Sequence, residues 1–185
     1  NSGFKVFSDT IANGGVVRGI NFKGGATLSR KQIDNLTEIV KQAGGKGLAY
    51  LAQGSEGIRS SVAKNLTELE INSAIEKSGL ETGDILLIVA DQWKTVCDSL
   101  GTLRRTLGKS ILEKEAPKWA FLWVCEFPLF EYNKDIGRFD AMHNIVTSPV
   151  QDDIPKLEAG FKSDLALANP QHPWANIRAN QYDLV

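Results

Sequence analysis

The spacing of apolar residues along the chain predicts three amphipathic helices. Apolar side chains recur every three or four residues behind Ser29, behind Thr67 and behind Asp91, which is the period of a helix with one buried face. Gln32 and Glu70 stand three residues after Ser29 and Thr67, so both pairs have the spacing of a capping box. The helices are expected to end at glycines that can adopt the left-handed conformation: Gly44, Gly79 and Gly108.

Short β-favouring runs lie between these helices. Strands are expected at 16–22, 47–51 and 84–90, with a weaker candidate at 4–7. Because the strands are short and each helix has one apolar stripe, the alternation favours an α+β fold. We expect a two-layer α/β sandwich over residues 1–115, with helices on one face of a small, mostly antiparallel or mixed sheet.

The residue composition of the chain changes near 114–118, where we place a domain boundary. The run 119–130 is dense in aromatic and apolar residues, and a second such run covers 138–142. The polar stretch 133–137 between them predicts the turn of a β-hairpin. The last residues, 182–185, are typical of the beginning of another strand.

The composition excludes several classes of protein. Hydrophobic residues make up 42% and charged residues 23%, and the formal net charge is -1, so no global field favours nucleic acid or an anionic membrane. The apolar runs are far shorter than the roughly 20 residues of a membrane span. Cys97 and Cys125 lack metal-site spacing, and we expect two reduced thiols in a cytoplasmic protein with no metal site. The chain opens with Asn1 and is expected to be a piece of a longer protein.

Three residue clusters contain the residue types of a phosphate-binding, hydrolytic or cation-binding site. Gly108, Lys109 and Ser110 imitate the tail of a phosphate-binding P-loop, but the earlier glycine of that motif is missing and a helix end is the better interpretation. Ser148, His143 and Asp140 are the residue types of a hydrolytic triad without its nucleophile elbow. Asp152 and Asp153 could bind a divalent cation, although acids before Pro155 more often cap a short helix.

A basic cluster and a polar segment are the remaining candidates. Arg104, Arg105 and Lys109 lie away from the leucine stripe of the third helix, so they could contact a phosphate backbone or form a solvated face. The segment 127–149 places an imidazole, an amide and two hydroxyls after the hairpin. These groups could hold a small polar ligand, or the histidine could simply pack beside the hairpin.

Several motifs in order resemble one family. The run KWAFLWVCEFPLFEYNKDIGRFDAMHNIVTSP, the upstream GGATLSRKQID and GGKGLAYL, and the final AxxYDLV resemble bacterial-type aspartyl-tRNA synthetases of class II. The resemblance implies that residues 1–115 are a GAD insertion domain. Residues 116–185 would be a partial catalytic domain segment, with a hairpin from an antiparallel class II sheet. A subunit of tRNA-dependent amidotransferases carries a related module and is an alternative parent, but the stretch from Trp119 onward favours the synthetase.

The resemblance also implies a function for the full-length protein. Such enzymes attach L-aspartate to tRNA through an aspartyl-adenylate, use ATP and Mg²⁺, and are homodimers. In AMHNIVTSP, His143 matches the histidine that contacts aspartate, and Asn144, Thr147 and Ser148 are possible neighbours in the substrate loop. Asn144 stands where the family commonly has a second histidine. The segment itself lacks the three class II motifs, so we expect no catalytic residues and no activity in isolation.

Two further expectations concern the isolated chain. A rival to the synthetase interpretation is a non-catalytic tRNA or protein interaction module that binds through the Arg104, Arg105 and Lys109 face. In the second half, excision from a larger sheet is expected to expose the aromatic side chains of 119–130. The sandwich is expected to fold by itself, while the tail is expected to be either loosely ordered or stabilised by packing on the sandwich or on another copy of the chain.

Overall fold

The computed structural model describes residues 2–115 and 119–185, and the chain divides into two compact units, Asn1–Ala116 and Pro117–Val185. Five α-helices and eight β-strands form within the described ranges. The helices are α1 (Lys5–Ala12), α2 (Arg30–Gln42), α3 (Glu68–Ser78), α4 (Trp93–Glu115) and α5 (Ile154–Phe161). The strands are β1 (Val16–Phe22), β2 (Ala49–Gly54), β3 (Gly57–Ser60), β4 (Ile85–Asp91), β5 (Trp123–Val124), β6 (Phe130–Asn133), β7 (Arg138–Ala141) and β8 (Asp183–Leu184).

The first unit is built on a four-stranded sheet in the order β1-β4-β2-β3. All neighbours in this sheet are antiparallel. Seven residue pairs join β1 to β4, from Val16 opposite Asp91 to Phe22 opposite Ile85. The expected α+β class and the mostly antiparallel sheet are therefore confirmed.

The expectation that helices cover only one face of this sheet is wrong. Ile85 and Leu87 of β4 pack in one hydrophobic cluster with residues of α2 and α4. Leu86 and Ile88, which point to the opposite face, pack in a second cluster with residues of α1 and α3. Both faces of β4 are buried because the strand is an uninterrupted apolar run, and such a run is typical of a strand covered on two sides.

The predicted helix beginnings are confirmed at two sites. In α2, the Ser29 hydroxyl accepts a hydrogen bond from the Gln32 amide at 3.3 Å, and the Gln32 side chain accepts one from the Ser29 amide at 2.9 Å. Thr67 and Glu70 form the same capping box at the start of α3. Gly79 then ends α3 in the left-handed conformation, with φ 59° and ψ 38°.

Two other boundaries differ from the prediction. The weak strand candidate at 4–7 lies mostly in α1, where Phe4 and Phe7 meet edge to face with ring centroids 4.9 Å apart. Helix α4 continues through Gly108 to Glu115, and the turn that precedes Gly108 is packed in the cluster with α2 through Leu103 and Leu107. Packing of this kind outweighs the cost of about 1 kcal/mol for a glycine inside a helix.

The second unit contains the predicted hairpin in a shorter form. Strands β6 and β7 pair antiparallel from Phe130 opposite Ala141 to Asn133 opposite Arg138, with Gly137 left-handed in the turn. The preceding run gives the two-residue strand β5, which pairs with β8 at the end of the chain. Leu129, Ile177 and Ala179 form the buried centre of this unit. In the parts of the chain described, no helix is long and apolar enough to cross a membrane.

Candidate functional site

The loop from His143 to Ser148 is held at both ends by backbone hydrogen bonds. Just before it, the Met142 amide donates to the Leu129 carbonyl at 3.0 Å. At its far end, the Ser148 carbonyl accepts from the Asn180 amide at 2.8 Å. These two hydrogen bonds therefore fix the backbone at both ends of the loop to the centre of the second unit.

His143 lies exposed at the beginning of this loop. Its ring meets the ring of Phe127 edge to face, with centroids 5.1 Å apart and an interplanar angle of 87°. Such a contact fixes the plane of the imidazole without burying it. The histidine therefore packs against Phe127 while its ring stays exposed, and its role as a ligand contact stays a prediction.

The other predicted members of the loop have different surroundings. The Asn144 side-chain oxygen accepts from the Val146 amide at 3.2 Å, and its carbonyl accepts from the Thr147 amide at 3.0 Å. Asn144 therefore shapes the turn, an ordinary role for asparagine. Ile145 is 90% exposed, and Ser148 is exposed as well.

The hydrolytic combination is not supported by the contacts of its acid. The Asp140 carboxylate accepts one hydrogen bond from the Asn133 side-chain Nδ2 and one from Arg138 Nε, each at 3.0 Å. These hydrogen bonds, with that from Asn133 foremost, lower the pKa of Asp140. Asp140 is engaged within the hairpin and does not serve as the partner of His143 or Ser148.

An ion-pair cluster beside the loop was not predicted from the sequence. Asp153 is buried, and its carboxylate accepts from the Arg178 amide and side-chain nitrogen Nε, each at 2.9 Å. Lys156 Nζ lies 2.7 Å from the same carboxylate. These bonds, led by that from the Arg178 side chain, hold the pKa of Asp153 well below its usual range. Asp152 and Asp153 are the two acids considered for a divalent cation. The Asp153 carboxylate is paired with Arg178 and Lys156, and Asp152 is exposed.

Arg178 connects this cluster to the segment before the hairpin. Its Nη1 donates to Glu126 Oε1 at 2.8 Å, and Glu126 has a positive φ of 59°, which non-glycine residues rarely adopt. On one side of Arg178 the Ala179 amide donates to the Phe127 carbonyl at 2.6 Å. On the other side the Val150 amide donates to the Arg178 carbonyl at 2.9 Å. The segment around Arg178 therefore positions both Phe127 and the end of the 143–148 loop.

A local signal in the sequence identifies only one contact of this cluster. Glu126, Asp153 and Arg178 are separated by more than twenty residues each, and only Lys156, three residues after Asp153, stands at a spacing that pairs charges on a helix. The adjacent acids Asp152 and Asp153 predicted only a divalent-cation site or the cap of a short helix. The contacts of Arg178 with Asp153 and Glu126 form only when these distant segments come together in the fold.

The basic cluster of the first unit is a surface feature of α4. Arg104, Arg105 and Lys109 are all exposed, and the Arg105 guanidinium donates to the Thr102 hydroxyl at 3.2 Å. Gly108 and Lys109 lie inside the helix, so the supposed P-loop tail is not a loop. Among the described residues, no three histidine, cysteine, aspartate or glutamate side chains converge to hold a metal ion. Cys97 and Cys125 are free thiols.

The first unit has the architecture of a recognised domain. An antiparallel sheet with helices on both faces occupies the first 116 residues. A family model described as the GAD domain matches residues 7–100, which span α1 to the middle of α4. The chain belongs to the GAD domain family.

The curated relatives that the chain matches are longer proteins. Aspartate–tRNA(Asp/Asn) ligases from Anoxybacillus flavithermus and Geobacillus sp. are each 44% identical, over 184 and 186 residues. An aspartate–tRNA ligase from Clostridium perfringens is 42% identical over 184 residues. These matches cover 99 to 100% of this chain and 29% of each relative. The similarity therefore extends through both units, while the chain spans less than a third of the relatives' length.

Proposed function

We propose that this chain is part of a bacterial-type aspartate–tRNA ligase that joins L-aspartate to tRNA through an aspartyl-adenylate. One observation carries the proposal: the similarity to relatives with that name is continuous over 99 to 100% of the chain. A GAD domain alone would also fit an amidotransferase module. The match of residues beyond the GAD domain favours the ligase.

In this proposal the two units have different roles. Residues 1–115 form the insertion domain, and residues 116–185 belong to the antiparallel class II sheet of the catalytic domain. Four large side chains support the second assignment, since they are 61 to 72% exposed: Trp119, Phe121, Trp123 and Tyr182. Apolar surface of this extent usually contacts another part of the protein. The rest of the catalytic domain would cover it in a cytoplasmic, homodimeric enzyme.

His143 is the proposed aspartate contact. The imidazole is exposed, and Phe127 fixes its orientation, so it can donate a hydrogen bond to a carboxylate or pair with it when protonated. Thr147 and Ser148 follow on the same anchored loop. The Arg178 cluster holds that loop in place, and Arg178 is a positioning residue in this scheme rather than a substrate ligand.

ATP and Mg²⁺ are the cofactors proposed for the full-length ligase. The described residues contain no group of acids or histidines suited to Mg²⁺, and Lys109 lies on a helix rather than in a phosphate-binding loop. The described residues do not fit either cofactor, and no chemical step in this chain is derived through them. Because the segment lacks the three class II motifs, the proposal gives the isolated chain no catalytic residue of its own.

A chimera tests the proposal directly. The matched 29% of the Geobacillus ligase would be replaced by these 185 residues, and aspartate-dependent ATP–pyrophosphate exchange would be measured. We expect exchange in the chimera and none with the isolated chain. A folded chimera without exchange, or turnover by the isolated chain, contradicts the proposal.

A second candidate function is tRNA contact through α4. Arg104, Arg105 and Lys109 are exposed on one helix, and phosphate contacts by such residues weaken steeply with salt. A tRNA gel shift at low and at higher salt would compare the chain with the triple variant Arg104→Gln, Arg105→Gln, Lys109→Gln. Binding that is salt-sensitive and lost in the triple variant supports the contact; binding that is unchanged in the variant excludes this face.

A further inference from the structure

A cavity of about 640 Å³ opens in the first unit beside α1. Its wall contains Phe4 and Phe7 from the α1 region, Val62, and Ile88 of β4. All four pack in the hydrophobic cluster on the α1 and α3 face of the sheet. Small-molecule sites commonly have volumes of about 300 to 1,000 Å³ and mostly apolar walls. The cavity therefore has the size of such a site, and its wall is part of a hydrophobic core.

Short side chains form the floor of this cavity. Ala49 lies opposite Ile88 in the pairing of β2 with β4, and Ala90 follows Ile88 by two residues, so both alanines point to the α1 and α3 face. Both pack in the cluster on that face and line the cavity. Gly47, just before β2, lines it as well, and a Cβ added there would meet no heavy atom of the described residues within 4 Å apart from its chain neighbours. Space remains because two methyl groups and a glycine lie where larger apolar side chains would fill this face.

The uncharged polar side chains around the cavity already have hydrogen-bond partners. Thr10 Oγ1 and Asn13 Nδ2 each donate to a backbone carbonyl of α1 at 2.8 Å. Gln92 Nε2 donates to the Asn13 carbonyl at 3.2 Å, and the Ser61 hydroxyl accepts from the Tyr50 amide at 3.1 Å. Apolar contact is therefore the main interaction that the cavity offers to a ligand.

The charged side chains around the cavity do not form its apolar wall. The register of β1 with β4 directs the Asp91 side chain to the α2 and α4 face of the sheet, together with Leu87. The Asp91 carboxylate accepts from the Gln92 amide at 2.8 Å and lies 3.8 Å from Lys46 Nζ. The Lys46 side chain is 84% exposed, and Asp9 is exposed on α1. A ligand against the apolar wall therefore has no buried charge of opposite sign to pair with.

We propose that this cavity binds a small uncharged molecule with an apolar ring. The Phe4 and Phe7 rings meet edge to face, with centroids 4.9 Å apart, and a third ring can pack against them in the same way. Val6, which is 53% exposed and lines the cavity, would be covered by such a ligand. A charged ligand would lose hydration without gaining a partner, whereas apolar cavities bind molecules such as benzene. This site is separate from the aspartate contact proposed in the second unit and does not depend on the chain being a ligase.

Three related compounds test the proposal by NMR titration of the full chain. The probes are toluene, the cation benzylammonium and the anion benzoate. We expect toluene to shift the backbone amides of Phe7, Ala49 and Ala90 and to bind about tenfold or more tightly than either ion. Equal or tighter binding of either ion overturns the proposal. Shifts confined to other residues, or no shifts with any compound, overturn it as well.

A matched pair of variants tests whether the space above Ala90 is the binding site. Ala90→Leu places a larger side chain on the cavity floor, so it should weaken toluene binding about tenfold or more. Ala12→Leu adds the same side chain on the exposed surface of α1 and should leave the affinity within about twofold. Unchanged toluene affinity in a folded Ala90→Leu variant overturns the proposal. If Ala90→Leu does not fold, the comparison of the three compounds on the unaltered chain decides the question.

Discussion

The buried carboxylate of Asp153 binds both the backbone and the side chain of Arg178. The Arg178 amide and Nε each donate to Oδ2 at 2.9 Å, and Nη2 donates to Oδ1 at 3.2 Å. One acid thus fixes a main-chain position and a guanidinium together, 25 residues away along the chain. Because Arg178 also connects to Glu126, this single contact joins three segments of the second unit.

Asp153→Asn should lower the stability of the second unit. The amide cannot balance the guanidinium charge and offers one acceptor where the carboxylate offers two. We expect the unfolding midpoint of the full chain, followed by signals of residues 119–185, to fall by several degrees. Asp152→Asn is the matched control, since Asp152 is exposed and its removal should leave the midpoint unchanged. Equal midpoints for the two variants would show that the buried contact contributes nothing.

Asp84 should make the first unit sensitive to acid. Burial raises the pKa of this carboxyl and is the largest single influence on it. Hydrogen bonds from Gly24, Lys23, Glu81 and Asn21 together outweigh burial and lower the pKa to about 2. Since the folded-state pKa lies below the unfolded one, the stabilisation is complete above about pH 4 and is lost as the pH falls towards 2.

Chemical unfolding between pH 5 and 2, with α2 amides as the probe, measures this effect. Asp84→Asn should flatten the decline of the free energy of unfolding in that window. Asp34→Asn, on an exposed position, should retain the decline of the unaltered chain. A decline that persists in full in Asp84→Asn would assign the acid sensitivity to other groups.

Adjacent residues of β4 should be about equally important to the core. Leu87 packs with α2 and α4, and Ile88 packs with α1 and α3. Leu87→Ala and Ile88→Ala should each reduce the free energy of unfolding by about 3 kcal/mol. Urea denaturation gives both values. A loss below about 1 kcal/mol for Ile88→Ala would mean that the α1 side of the sheet is not a packed layer.

His143→Ala should separate substrate binding from stability. The imidazole is exposed, so its removal is expected to leave the unfolding midpoint of the ligase chimera almost unchanged. Loss of a charge-assisted hydrogen bond to aspartate should raise the KM for aspartate about tenfold or more. Asn144→Ala is the comparison, because that side chain contacts its own turn. An unaltered KM in His143→Ala would exclude His143 as the aspartate contact.

Hydrogen exchange should distinguish the two units. Amides of α2 and β4 lie in a core with buried residues on several elements, whereas β5 and β8 share two residue pairs. Slow exchange is expected in the former and fast exchange at Trp123 and Val124. Protection across 119–142 equal to that of α2, in a dilute monomer, would show that the second unit does not require packing from outside.

Some elements could be predicted because their signals are local. The capping residues Ser29 and Thr67 and the period of the apolar residues behind them fix where α2 and α3 begin. The β-branched run of β1 and the apolar run of β4 likewise specify strands through side chains within a few residues. For the site, residue types and family resemblance were enough to single out the polar loop with His143. No knowledge of tertiary contacts was needed for that prediction.

Other features depend on residues that are distant in sequence. The Phe4 and Phe7 rings pack in the cluster with β4, where the sequence favoured a strand, and α4 continues past the expected end at Gly108 to Glu115. The sequence analysis expected helices on one face of the sheet, and only the packing of α1 and α3 shows that the second face of β4 is covered as well.

The pairing of Asp153 with Arg178 belongs to the same category. It follows no spacing rule, since the two residues come from different segments of the chain. The sequence by itself determined the beginnings of α2 and α3, the strands β1 and β4, and the residue types of the polar loop. Only the tertiary structure decided which charges are buried together and where the sheet leaves space, because burial and strand register are set by contacts between distant parts of the chain.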